Sequence, residues 1–179
     1  LSHQNGPIAT NVSTTMLIDH IAERYNREVF RSKVGEIHVV EKMIENNCVI
    51  GGEGNGGVIY PALHYGRDAL VGVALVLMLL AETGKKVSEI IGDNPEYYMS
   101  KKKVDITGTD LDAVIDRIER MSGNAVIDRT DGLKLIFTDR WVHLRASNTE
   151  PVIRIITEAP EKEEADSLAE KYSNILTAE

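Results

Sequence analysis

At 179 residues the chain can hold one ordinary domain or two small ones. Its 42% hydrophobic and 27% charged content belongs to a globular protein and excludes a disordered one. A net charge of −8 argues against nucleic acid or an anionic membrane as partner, so an anionic ligand would have to be held by a local cationic cluster.

The chain opens Leu1-Ser2-His3-Gln4, without an initiator Met and in the manner of a helix tail, which predicts a fragment of a longer protein. Cys48 is the single cysteine and lies in an apolar run, so no disulfide is possible within the chain. That suits a reducing, cytoplasmic setting, and the expected role of Cys48 is core packing. The five histidines show no metal-ligand spacing with each other or with Cys48, so no metal site is expected here. No signal peptide is visible. The longest apolar run, 69–81, is broken by Gly72 and is too short to span a bilayer.

In chain order, Pro7–Val12 reads as a buried strand. Ser13 or Thr14 is placed to cap a helix reaching about Asn26, with Leu17, Ile18, Ile21 and Ala22 on one face. Glu28–Arg31 is a second strand. A helix follows from Glu36 to about Glu45, with Ile37, Val40 and Ile44 apolar, and Asn46-Asn47 ends it. Cys48–Gly51 is a third strand. This alternation predicts an α/β domain of three layers with a mostly parallel sheet.

Five glycines then fall in the seven positions of Gly51-Gly52-Glu53-Gly54-Asn55-Gly56-Gly57, a backbone built for unusual dihedrals or close approach to a ligand. Gly52, Gly54 and Gly57 satisfy the dinucleotide spacing G-x-G-x-x-G. Two features reject that reading: Val58-Ile59-Tyr60-Pro61 continues extended where a helix should open, and the acidic residue about 20 positions on would be Glu82, at the end of a helix. The loop reads better as presenting Glu53, whose carboxylate can accept hydrogen bonds from two adjacent sugar hydroxyls; a Gly-rich turn with an exposed Glu is the plainer alternative. A long helix, Arg67 to Glu82, is apolar nearly all round and is expected to be buried on most faces, with Gly84 at its end. His64 and Arg67 are candidates to face the cleft, but core packing or solvent is the expected place of both. Val87–Ile91 adds a short helical turn.

Gly92-Asp93-Asn94-Pro95 breaks the chain, and the domain boundary is placed at about Asn94: 1–94 and 95–179. Lys101-Lys102-Lys103 reads as a solvated strand edge. Thr109-x-x-Asp112 resembles a capping box and starts a helix to about Met121, with Leu111, Val114, Ile115 and Ile118 apolar. Ala125–Asp128, Leu133–Phe137, Trp141–Arg145 and Val152–Thr157 read as four strands. A last helix after Pro160 carries Leu168, Ala169, Tyr172, Ile175 and Leu176 as its stripe. Helix, four strands, helix predicts an α+β domain with a four-stranded antiparallel sheet and both helices on one face.

The last strand connection, Arg145-Ala146-Ser147-Asn148-Thr149-Glu150-Pro151-Val152-Ile153-Arg154, has an arginine at each edge of a small polar loop. Arginine offers a planar fork that matches phosphate oxygens, and Ser147, Asn148 and Thr149 add hydroxyl and amide donors. The residues read as a site for a phosphate monoester; they also suit an ordinary polar hairpin.

Arg-Ala-Ser-Asn-Thr-Glu-Pro followed by Arg resembles the phosphate-binding loop in the last domain of the α-D-phosphohexomutases. Gly52-Glu53-Gly54-Asn55-Gly56-Gly57 resembles the sugar-binding loop of that family's third domain, commonly Gly-Glu-x-Ser-Gly-His. Glu53 matches the hydroxyl-binding glutamate, while Asn55 stands where Ser is usual and Gly57 where His is usual. Gly57 cannot replace an imidazole, so that contact is lost or supplied elsewhere. Arg31-Ser32-Lys33-Val34-Gly35-Glu36 resembles a further family segment lining the same cleft, which makes Lys33 a candidate phosphate or sugar contact; a solvated lysine before a helix is the plainer alternative.

The resemblance implies a C-terminal piece with most of domain 3 and all of domain 4. It implies that Glu53, Asn55 and Lys33 contact the sugar and that Arg145, Ser147, Asn148, Thr149 and Arg154 contact the phosphate. The complete enzyme, by the same resemblance, interconverts 1-phospho and 6-phospho hexoses or hexosamines, glucosamine phosphate first. It works through a phosphoserine and a bisphosphorylated intermediate, with magnesium bound by N-terminal domains. This chain holds neither a Ser-His-Asn-Pro-like serine loop nor an Asp-x-Asp-x-Asp run, so no catalytic residue is expected in it and it is predicted to be inactive alone. Its expected partners are the sugar phosphate and its own N-terminal domains. A non-catalytic phospholigand-binding module on the same scaffold is the alternative of another class.

Overall fold

The computed structural model describes residues 4–147 and 149–177. They form two compact units, one reaching to Glu96 and one starting at Tyr97.

The first unit holds β1 (Ile8–Asn11), α1 (Leu17–Arg24), β2 (Val29–Ser32), α2 (Glu36–Glu45), β3 (Ile50–Gly52), β4 (Val58–Tyr60), β5 (His64–Arg67), α3 (Ala69–Thr83) and α4 (Val87–Gly92). Its sheet has the order β2-β1-β3-β4-β5. β1 pairs parallel with β2 and β3, while β3-β4 and β4-β5 are antiparallel, so the sheet is mixed. The antiparallel end includes β5, whose His-Tyr-Gly-Arg sequence carries none of the β-branched alternation that marks a strand.

One face of this sheet packs on α2, where Ala9, Val39, Met43, Cys48 and Ile59 form the core. Burial pushes the Cys48 thiol up to about 11, the behaviour of an inert core group. The helix turns Val39 and Met43 inward and leaves Ile37 and Ile44, expected on its apolar face, 66% and 56% exposed. α1 starts at Leu17, later than a Ser13 or Thr14 cap would place it, because Thr14 is engaged elsewhere: its hydroxyl receives Thr10 Oγ1 at 2.7 Å and reaches Asn11 Oδ1 at 3.1 Å. α3 departs furthest from expectation. Asp68 caps it, accepting from the backbone N–H groups of Leu70 and Val71, yet Val71 is its one buried residue. Leu70 is 81% exposed and Leu77 59%. An all-apolar sequence announces that a helix suits a buried setting, but not which surface covers it. Between α1 and the β3–β4 hairpin lies a hollow of about 270 Å3 lined by Ile8, Thr10, Ile18, Ile21, Ile50 and Val58 among others.

The second unit holds β6 (Tyr98–Asp105), α5 (Leu111–Arg120), β7 (Val126–Asp128), β8 (Leu133–Ile136), β9 (Trp141–Ala146), β10 (Val152–Ala159) and α6 (Lys162–Thr177). The sheet is antiparallel throughout, in the order β6-β10-β9-β8-β7. It has five strands: β6, with its lysine run, lies along the edge of β10 and adds to the four read from sequence. α5 is capped by Asp110, whose Oδ1 accepts from Ala113 N at 3.2 Å, one residue after the Thr109 that the capping-box spacing suggested. α5 and α6 pack on one face, where Ile118, Ala169, Tyr172 and Leu176 meet Leu133, Leu135, Val142, Leu144, Ile153 and Ile155.

Candidate functional site

In the first unit the candidate residues lie at and just beyond the ends of three parallel strands. Asn11, Ser32 and Gly52 close β1, β2 and β3, and ligands of open α/β sheets bind beyond such carboxyl ends. Glu53 follows directly on β3. Its Oε1 accepts from Asn11 Nδ2 at 2.8 Å and from Gly35 N at 3.1 Å, so the carboxylate is fixed by donors from the end of β1 and the start of α2. Oε2 is the second acceptor of the group. Gly35 can take this place because it sits at φ 128°, which side chains avoid, at the N-terminus of α2. The loop closes on itself: Glu53 N donates to Gly57 O, Gly56 N to Glu53 O, and Gly54 N to Thr14 Oγ1. Thr14 therefore ties the loop after β1 to the loop after β3.

Asn55 is exposed, and its Oδ1 accepts from Gly57 N at 3.0 Å. Lys33 is exposed in the loop between β2 and α2. Arg31 points elsewhere: its guanidinium donates to the Asn11 and Thr14 carbonyls and pairs with Asp19 at 2.6 Å, bracing the loop after β1. Beyond the Gly-rich loop, Arg67 donates to Glu36 twice, from its backbone N–H at 3.0 Å and its Nε at 2.7 Å. The Arg67 N–H groups hold the Glu36 carboxyl below the usual range.

In the second unit Arg145 lies near the end of β9, directly opposite Arg154 of β10, which in turn lies opposite Lys103 of β6. Directly opposed residues share a face of the sheet, so three cations stand in one row. Arg145 Nε lies 2.8 Å from Asp131 Oδ2, an ionic contact without the alignment of a hydrogen bond. Lys103 Nζ is 3.9 Å from Glu150. The loop they flank is tied by Ser147 N donating to Val152 O at 2.9 Å and Ile106 N to Pro151 O at 3.0 Å. The Ser147 and Thr149 hydroxyls are 3.4 Å apart at the surface. Asn148 lies outside the described residues.

Asp131 belongs to the turn between β7 and β8. Its carbonyl meets Nε2 of the buried His143. Burial, first of all, pulls the His143 pKa below its usual value. Gly132, at φ 79°, lets this turn press on β9: a Cβ there would fall 2.3 Å from Leu144 O.

Residues 1–98 match the phosphoglucomutase/phosphomannomutase alpha/beta/alpha domain III, and residues 100–175 match the C-terminal domain of the same proteins. The chain belongs to the phosphoglucomutase/phosphomannomutase family. A family member from Thermococcus kodakarensis, named phosphoglucomutase/phosphomannomutase, is 42% identical over 96% of this chain and 38% of its own length. The phosphoglucosamine/phosphogalactosamine mutase of Sulfurisphaera tokodaii is 36% identical over 94% of this chain and 38% of its own. The phosphoglucosamine mutase of Methanocaldococcus jannaschii is 32% identical, over 93% and 38%. The chain thus spans about two-fifths of the length of these curated relatives. Among solved structures, a phosphoglucomutase/phosphomannomutase family protein from Burkholderia thailandensis has the same fold, with a TM-score of 0.78 at 22% identity over 99% of this chain and 38% of that one.

A solved Aspergillus fumigatus N-acetylphosphoglucosamine mutase of this fold is described with GlcNAc-6P and magnesium. In the present chain, among the described residues, no group of three or more His, Cys, Asp or Glu side chains could hold a metal ion. The described residues do not supply the oxygen cluster that magnesium takes. Among the described residues, no helix is long and apolar enough to cross a membrane.

Sequence reasoning passed over Asn11, Gly35, Asp131 and Lys103. Asn11 meets Glu53 across 42 positions, and no local pattern encodes such a pairing. Lys103 was legible only as an edge lysine. Its place beside Arg154 follows from the pairing of β6 with β10.

Proposed function

We propose that this chain is the sugar- and phosphate-binding part of a phosphohexomutase, with phosphoglucosamine as the first substrate class. The observation that carries the reading is the row Lys103, Arg154 and Arg145 beside the Ser147–Pro151 loop, in a chain of net charge −8. Like charges directly opposite one another are unfavourable, and Asp131 and Glu150 answer only part of that charge. A phosphate dianion, bidentate on an arginine and bonded by Ser147, Asn148 and Thr149, answers the rest. In the other unit, Glu53 is pre-oriented for ring hydroxyls, with Asn55 and Lys33 as further contacts. Phosphoryl transfer depends mainly on positioning and charge neutralisation, and these loops would supply both. The full-length polypeptide would interconvert 1-phospho and 6-phospho sugars through a phosphoserine outside this chain and a bisphosphorylated sugar.

A second reading, phosphoglucomutase/phosphomannomutase, is favoured by the name of the 42% identical Thermococcus relative. A mutase assay of the full-length polypeptide on glucosamine 1-phosphate, mannose 1-phosphate and glucose 1-phosphate ranks the two. Arg145→Ala should raise KM by about 10- to 100-fold for whichever sugar is best, as expected for losing a charged hydrogen bond. Residues 1–179 alone should show no turnover. Turnover by this chain alone, or an Arg145→Ala enzyme with unchanged kinetics, would overturn the proposal. A full-length protein that binds sugar phosphates without converting them would instead be a phospholigand-binding module.

A further inference from the structure

Gly57 stands where the family's sugar loop usually has histidine, so a donor is missing from that loop. The structure shows what fills the place. A Cβ built on Gly57 would fall 2.3 Å from Cδ and 3.0 Å from Cγ of Arg67. The aliphatic stem of Arg67 therefore occupies the space that a side chain at position 57 would need, so a side chain there would have to displace it. Arg67 reaches this place from β5, where it pairs with Ile59 of β4. Glu36 fixes its direction by accepting from its backbone N–H and its Nε. A guanidinium anchored at its Nε edge keeps its terminal N–H groups for a ligand. Arg67 lines an open recess of about 430 Å3 together with Glu36, Asp68, Asn55, Gly56 and Gly57, so two carboxylates share its wall with the guanidinium. Asn55 gives its Oδ1 to Gly57 N, which leaves its amide NH2 as a donor beside the recess. The hollow that Glu53 lines shares Gly56, Gly57 and Val58 with this recess, so the Gly-rich loop has a carboxylate acceptor on one side and a guanidinium donor on the other.

We propose that Arg67 is a substrate-binding residue that takes over the missing imidazole's contact, donating hydrogen bonds from its guanidinium to a ring oxygen of the sugar phosphate. The inference rests on reading the Gly-rich loop as the sugar loop. It predicts that histidine at 57 and arginine at 67 are alternative solutions to one requirement.

The test is a swap in the full-length polypeptide, assayed on the sugar 1-phosphate that the wild type converts best. Arg67→Ala should raise KM by about 10- to 100-fold, the loss of a charged hydrogen bond, while Tm stays within a few degrees. Gly57→His alone should be at least as damaging, because the ring and the Arg67 stem claim the same volume. Gly57→His combined with Arg67→Ala should recover KM to within several-fold of the wild type. A KM for Arg67→Ala within twofold of the wild type overturns the inference and leaves the sugar-loop reading standing. Loss in Arg67→Ala without recovery in the double variant also overturns it, by making Arg67 a mere support for Glu36. A folded wild type that converts no sugar phosphate defeats the sugar-loop reading, and this inference with it.

Discussion

The two candidate loops are built on opposite principles. The Gly-rich loop of the first unit is shaped by backbone: Glu53 is fixed by an N–H of Gly35 and an amide of Asn11, and its turn is closed by main-chain bonds. The loop of the second unit is shaped by charge, with Lys103, Arg154 and Arg145 in a row and Asp131 and Glu150 at its borders. The first arrangement holds one acceptor in a set direction, which suits reading hydroxyl positions. The second concentrates positive charge, which suits an anion whatever sugar is attached to it. On the proposed reading, the difference teaches that a substrate's variable part and its constant part call for different physics.

The sharpest way to break the comparison is Gly132→Ala. Gly132 sits at φ 79°, and a methyl group there would meet Leu144 O and the Arg145 backbone. The change should destabilise the chain by about 2–4 kcal/mol in urea unfolding, because both conformation and backbone packing oppose it. It should also weaken phosphate binding. If stability and binding are untouched, the β7–β8 turn does not support the cationic row.

Asn11→Ala sharpens the other half. It removes one of the two donors to Glu53 while leaving the carboxylate itself, and should weaken sugar-phosphate binding by about tenfold, the worth of one hydrogen bond. Binding of inorganic phosphate should be unchanged. Equal weakening of both ligands would mean that the loops are not specialised as described.

A smaller effect concerns pH. His143 is buried, and its folded pKa is depressed below the ordinary value near 6.5, chiefly by burial. The unfolded chain therefore binds a proton that the folded chain refuses, and stability falls as pH drops below about 6.5. Comparing denaturation midpoints at pH 7 and pH 5.5 should show this loss, and His143→Gln should remove part of it. An identical pH dependence in the variant would contradict the assignment.

Much of the fold was legible because its elements carry plain signals: the alternation around β1, β2 and β3, the stripe of α6, the Asp-Gly turn between β7 and β8. What was hidden has physical reasons. β6 reads as a lysine run because an edge strand keeps charge on it. β5 lacks β-branched residues and pairs only with β4. α3 looked buried because hydrophobicity records what a helix tolerates, not what covers it; Leu70, Val73 and Leu77 face outward. For the candidate site, Glu53 and the Arg145–Arg154 string stand out as strings. Asn11 and Asp131 join them only through contacts between distant segments.

The central claim is that one unit grips hydroxyls and the other grips phosphate. The most direct measurement is an NMR titration of residues 1–179, first with inorganic phosphate and then with glucosamine 1-phosphate. Inorganic phosphate should shift the backbone amides of Ser147, Thr149 and Val152 and leave those of Glu53 to Gly57 unmoved. Glucosamine 1-phosphate should shift both sets, and Arg145→Ala should abolish the first. Phosphate-induced shifts at Glu53 to Gly57, or shifts at Ser147 to Val152 that persist in Arg145→Ala, would contradict the account.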